Sequence, residues 1–114
     1  MTEREYLYEM LDSIKQRPGM YLGQTSLSAL FSFISGYELA REELGILPTQ
    51  LEEDFHRGFQ QWLQKRFEIQ TVNSWAKIIL FYSRNEQEAF EYFFELLADF
   101  SQQQQITEPE KLTA

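Results

Sequence analysis

The sequence predicts an all-α fold, a compact bundle of four or five helices, and three observations carry that expectation. Apolar residues recur with a period of about 3.6 along successive stretches of the chain. The segments between those stretches are short and carry the Ser, Thr, Asn, Pro and Gly residues that start and stop helices. Only residues 67–83 offer the alternation of a strand. With 114 residues, the chain suits one domain, which at this size buries roughly two thirds of the surface its unfolded form exposes. The material for a core is present: 43% of residues are hydrophobic, and ten Phe and six Tyr dominate the aromatics.

From Thr2 to Gln16, Tyr6, Leu7, Met10, Leu11 and Ile14 share one helical face, while Glu3, Glu5, Glu9, Asp12 and Lys15 share the other. Pro18 disfavours the α conformation at Arg17, and Gly19 suits the positive φ of a type II turn. The helix is expected to stop there, with Met20, Tyr21 and Leu22 plugging the core. Thr25 or Ser26 can cap a second helix that ends near Leu44, with Gly45 as its stop. That helix carries two overlapping stripes, Leu27, Leu30, Phe31 and Ile34, then Leu30, Phe33, Tyr37, Ala40 and Leu44, and so needs neighbours on more than one side. Glu38 and Arg41, three apart at the edge of that arc, are expected to pair.

A third helix follows Pro48, its apolar face formed by Leu51, Phe55, Phe59, Trp62, Leu63 and Phe67. Glu52, Glu53 and Asp54 in its first turn complement the helix dipole. Gly58, inside this pattern, points to a close helix crossing. Residues 67–83 can be read as a hairpin around Asn73 and Ser74 or as a short helix. The helix is preferred, because Trp75, Ile78, Ile79 and Tyr82 match one face and Asn73 or Ser74 would cap it. The stretch from Asn85 to Phe100 is both the most apolar and the most acidic in the chain. Phe90, Phe93, Phe94, Leu97 and Phe100 face one way and Glu88, Glu91, Glu95 and Asp99 the other. Asn85 and Glu88 have the spacing of a capping box. The domain is expected to close at residue 101, and the polar run 102–114 to leave it as a flexible tail.

Function is bounded mainly by charge. Lys and Arg number 10 against 18 Asp and Glu, a formal net charge of −8, which disfavours nucleic acid and anionic lipid and favours basic protein surfaces. The absence of Cys and of an apolar leader or span is the pattern of a cytoplasmic protein. The stripe Glu88, Glu91, Glu95 and Asp99 is the partner-binding candidate, with Arg17, Tyr21, Glu38 and Arg41 as a secondary polar cluster. Glu53 and His56 have the Glu-x-x-His spacing of carboxylate-bridged metal bundles. His56 is the sole histidine, so only a dimer could supply the second half of such a site. The expected function is therefore a non-enzymatic acidic protein-binding module, of the immunity-inhibitor kind, with no cofactor. The alternatives are a dimeric metal protein or enzyme using Glu53 and His56, and a self-associating structural subunit.

Two resemblances accompany this reading. Arg17 to Gly23, RPGMYLG, resembles a segment near the start of the ATPase domain of type II topoisomerase B subunits. That family's next helix carries a Glu, an Asp and an Asn for water activation and magnesium. Here the next helix, SLSALFSFISGYELA, has no Asn, and no later Asp-x-Gly-x-Gly exists, so the ATPase activity is not expected. The chain as a whole resembles small bacterial all-helical proteins that share an Arg-Pro-Gly-Met-Tyr turn, a Trp-led short helix and a Phe-Phe-Glu-Leu-Leu helix. Here these are Arg17 to Tyr21, Trp75 to Tyr82 and Phe93 to Leu97. That resemblance implies an all-helical fold and carries no activity with it.

Overall fold

The structure, a computed structural model, describes the backbone of residues 4–113 and the side chains of residues 4–104. It is all-helical, with no strand among the described residues: α1 (Tyr6–Gln16), α2 (Pro18–Leu22), α3 (Leu27–Glu43), α4 (Gln50–Arg66), α5 (Trp75–Phe81) and α6 (Glu86–Thr113). Among those residues no helix is long and apolar enough to cross a membrane. Thr2 and Glu3, where the first helix was expected to begin, lie outside the described residues.

Six helices replace the expected four or five because the Arg17–Gly23 segment is itself a one-turn helix. Pro18 occupies its first position, where a missing N–H costs nothing. The positive φ falls on Gly23 (76°), which caps α2 through an N–H bond to the Gly19 carbonyl. A helical rather than turn geometry swings the side chains outward. Met20 is 70% exposed and Tyr21 is also exposed, so only Leu22 of the expected plug packs on the core.

Other boundaries follow the local chemistry. Ser26 Oγ accepts the Ala29 N–H at the start of α3. At its end Gly45 (φ 74°) donates to the Glu42 carbonyl and Ile46 to that of Arg41, a Schellman closure. The same closure ends α4 with Glu68 (φ 53°) in the glycine position. Within residues 67–83 the chain forms the short helix α5 and no hairpin, capped by Ser74 Oγ on the Lys77 N–H. Asn85 Oδ1 accepts the Glu88 N–H. The Glu88 carboxylate, however, returns to the Arg84 N–H instead of that of Asn85, so the capping box is shifted by one residue. The backbone of α6 continues helical past residue 101 to Thr113. The Gln run 102–105 propagates a helix at little cost.

The core lies where α3, α4, α5 and α6 meet and is aromatic at its centre. Phe59 is fully buried, with the rings of Phe55, Trp62, Trp75, Phe93 and Phe100 at 5.1–6.0 Å. Gly58 does mark a close crossing, because a Cβ there would stand 3.3 Å from Cζ of Phe100. The buried side of α6 is Ala89, Phe90, Phe93, Leu96, Leu97 and Phe100. Phe94, expected on that stripe, is only half-buried, beside Lys15 of α1. Helices flank α6 on several sides, so the arc it buries is wider than one stripe and includes Leu96. On α3, Leu27, Leu30 and Ile34 are buried, but Ala40 and Leu44 of the second expected stripe are exposed.

Glu86 ties the start of α6 to the start of α3. Its carboxylate accepts the Ser28 N–H (2.9 Å), the Ser28 hydroxyl (2.6 Å) and the Ser26 hydroxyl (3.1 Å). Burial pushes this carboxyl up, yet those donors hold it below its ordinary value. Glu86→Ala is expected to cost about 1–2 kcal/mol, the scale of a lost helix cap, measured as a lower urea midpoint at unchanged slope.

Candidate functional site

A cleft of about 340 Å³ lies between the α3–α4 corner and the start of α1. Its geometry begins with Thr49 and Glu52. Thr49 Oγ1 accepts the Glu52 N–H and Glu52 Oε1 accepts the Thr49 N–H at 2.9 Å, the capping box of α4. Glu52 Oε2 also accepts the Leu7 N–H at 2.9 Å, which caps the first turn of α1. A third donor, Arg41 Nη1 from α3, reaches the same oxygen at 2.6 Å. One carboxylate, 2% exposed, therefore joins the ends of two helices to the side of a third. The Thr49 hydroxyl closes the network by donating to Glu5 at 2.6 Å.

Arg41 is nearly buried as well, and its guanidinium lies 5.3 Å from the rings of both Tyr6 and Tyr37. The aromatic faces offset part of the desolvation of the cation. Burial pushes Glu52 up, but the hydrogen bonds from Arg41, Thr49 and Leu7 outweigh it and hold the carboxyl below its ordinary value. It stays ionised at neutral pH, with its acceptor sites spent on the fold. No described side-chain polar atom is buried without a partner.

On the rim, His56 Nε2 of α4 pairs with the Glu38 carboxylate of α3. Burial raises Glu38, and the His56 charge opposes the rise. A carboxylate holding an imidazole can orient it as a proton acceptor. The described residues lining this cleft include no Ser, Thr, Cys, Lys or Tyr for such a base to activate.

The candidate residues are thus redistributed. Glu38 and Arg41 do not pair with each other as expected: each takes a partner on α4, because α4 packs alongside and offers Glu52 and His56. The secondary cluster is split, since Arg17 and Tyr21 line a separate shallow depression with Ser13 and Gln16. Glu53 faces Arg57 at 3.9 Å while His56 faces Glu38, so the Glu-x-x-His pair does not act as a unit. Among the described residues no group of three or more His, Cys, Asp or Glu side chains is placed to hold a metal ion.

The stripe on α6 is outward-facing but unequal. Glu88, Glu91 and Glu95 are exposed and Asp99 is half-exposed. Asp99 pairs with Arg66 at 3.2 Å and Glu88 lies 3.8 Å from Arg84, which leaves Glu91 and Glu95 as the carboxylates of the stripe without a partner among the described residues. Glu52, the residue that organises the cleft, was read from the sequence only as one of several first-turn acids. The signal that could have singled it out is local: Thr49-x-x-Glu52 directly after Pro48 is a capping-box spacing. No protein-family model, curated protein or solved structure matches the chain.

Proposed function

We propose that the chain is a non-enzymatic, cytoplasmic protein-binding module, an inhibitor of the immunity kind, that docks a basic protein surface through the outer face of α6. The observation that carries this reading is the state of Glu91 and Glu95. They stand about one turn apart, exposed and unpaired among the described residues, on a helix whose opposite side is anchored by Phe90, Phe93 and Phe100. Like charges so spaced cost a helix a few tenths of a kcal/mol, a cost that a cationic partner would reverse. Their helix is packed on the core by its opposite side, so little backbone order has to be gained on binding. The buried charges of the cleft, by contrast, are matched within the chain. The resemblance to small bacterial proteins with an Arg-Pro-Gly-Met-Tyr turn is compatible with this reading and adds no activity to it.

The test is kinetic. A partner captured from the cell that encodes the chain is expected to associate at a rate that falls about tenfold or more as salt screens the exposed acids. Glu91→Gln/Glu95→Gln should lose most of that dependence. An association rate indifferent to salt and to the double substitution would overturn the reading.

A further inference from the structure

We propose that the α3–α4 cleft receives the Phe81 side chain of a second copy of this chain, so that the protein associates head to tail. This goes beyond the α6 reading and uses different residues. Two surface features point to it.

The first is the cleft rim. Leu44 is 75% exposed and Leu47 is 85% exposed, with Ile46 and Leu51 also exposed around the same corner. Large aliphatic side chains gathered on one corner of a small domain mark an interaction surface. The charge beside them is negative: Arg41 is spent on Glu52, while among the described residues Glu42 is exposed and unpaired and Glu38 pairs with His56. The cleft therefore fits an apolar group flanked by cations. Its volume of about 340 Å³ exceeds the roughly 150 Å³ that accommodates a benzene ring.

The second feature is at the end of α5, where the chain carries such a group. Phe81 is 81% exposed, an aromatic ring of the kind that anchors interfaces. Lys77 precedes it by one turn, exposed and without an ion-pair partner among the described residues, and Arg84 follows three residues later. Arg84 is 89% exposed and pairs with Glu88 at 3.8 Å, an exposed contact of the weak class that a partner's acid can replace. A ring with Lys77 and Arg84 near it in sequence matches an aliphatic cleft lined by Glu38 and Glu42. The match is between different patches, so the contact is heterologous, and repetition builds rings or open chains. A single aromatic anchor in a small interface belongs to the weak, transient class.

Sedimentation velocity on the wild-type chain, in a concentration series up to about 1 mM, the weak end of specific association, reads the proposal. The expected result is growth of species beyond monomer that recedes as salt rises. Phe81→Asp and Leu47→Asp alter exposed side chains, so each should keep its circular dichroism spectrum and remain monomeric, with self-affinity lowered about tenfold or more. Mixed together, the two variants retain one intact cleft and one intact Phe81, and should form a dimer that grows no further. A wild-type chain monomeric throughout, or a mixture of variants that stays monomeric, would overturn the proposal and leave the cleft to another occupant. Neither result touches the α6 reading, whose residues are unchanged in both variants.

Discussion

Replacing Phe59 by alanine is expected to lower stability by about 3–5 kcal/mol, the range for emptying a buried aromatic site. Phe59 is the ring that the others share: it touches aromatic side chains from α4, α5 and α6 at once. A cavity there cannot collapse without moving three helices, which places the cost toward the upper end. Phe94→Ala is the matched control. That side chain is half-buried against α1 and should cost less than half as much. Urea titration of the two variants measures the difference, and equal midpoints would mean that α6 is rotated about its axis relative to this structure.

Glu52→Ala is expected to cost a similar amount, about 3–5 kcal/mol, for an electrostatic reason. Removing one partner of a buried pair leaves the other charge desolvated and alone. Here Arg41 would be stranded between Tyr6 and Tyr37, and the N–H groups of Leu7 and Thr49 would lose their acceptor. In a domain of this length the melting temperature should fall by roughly 10–20 °C. The pH dependence follows from the same contacts. The folded state holds this carboxyl below the 4.5 of the free group, so its contribution is fully present above that pH and is lost as pH falls through the lower folded value. Glu52→Gln should therefore flatten the acid limb of the stability curve. Some slope will remain, because Glu9 and Glu86 are also held low, by Arg4 and by Ser26 and Ser28. An unchanged acid limb would show that the carboxylate is not ionised in the fold.

What the sequence made legible was mostly local. Ser26, Ser74, Asn85 and Gly45 cap where their side-chain chemistry or lack of Cβ predicts, and Phe90, Phe93 and Phe100 point inward because a period of about 3.6 dictates it. The rotation of α6 was less legible. Phe94 and Leu96 differ only in which neighbouring helix lies beside them, and that is decided by tertiary packing. The Pro18–Gly19 pair suits either a turn or the first turn of a helix, and the second geometry exposes Met20 and Tyr21. The polar network was illegible for a plainer reason. Leu7 and Glu52 are 45 residues apart, and Glu38 meets His56 across two helices. Spacing rules within one helix paired Glu38 with Arg41 and Glu53 with His56; the folded chain pairs each of these residues elsewhere.

These placements, taken with the proposed function, give one division of labour, in which the buried charges around Glu52 hold the fold and the exposed acids of α6 are proposed to recognise a basic partner. Glu91→Gln/Glu95→Gln tests that division most directly when melting temperature and partner capture at low salt are measured on the same preparation. The expected result is a melting temperature unchanged or raised, since repulsion along α6 is relieved, with capture of the basic partner lost. Capture at the wild-type level, or a melting temperature that falls together with it, would contradict the account.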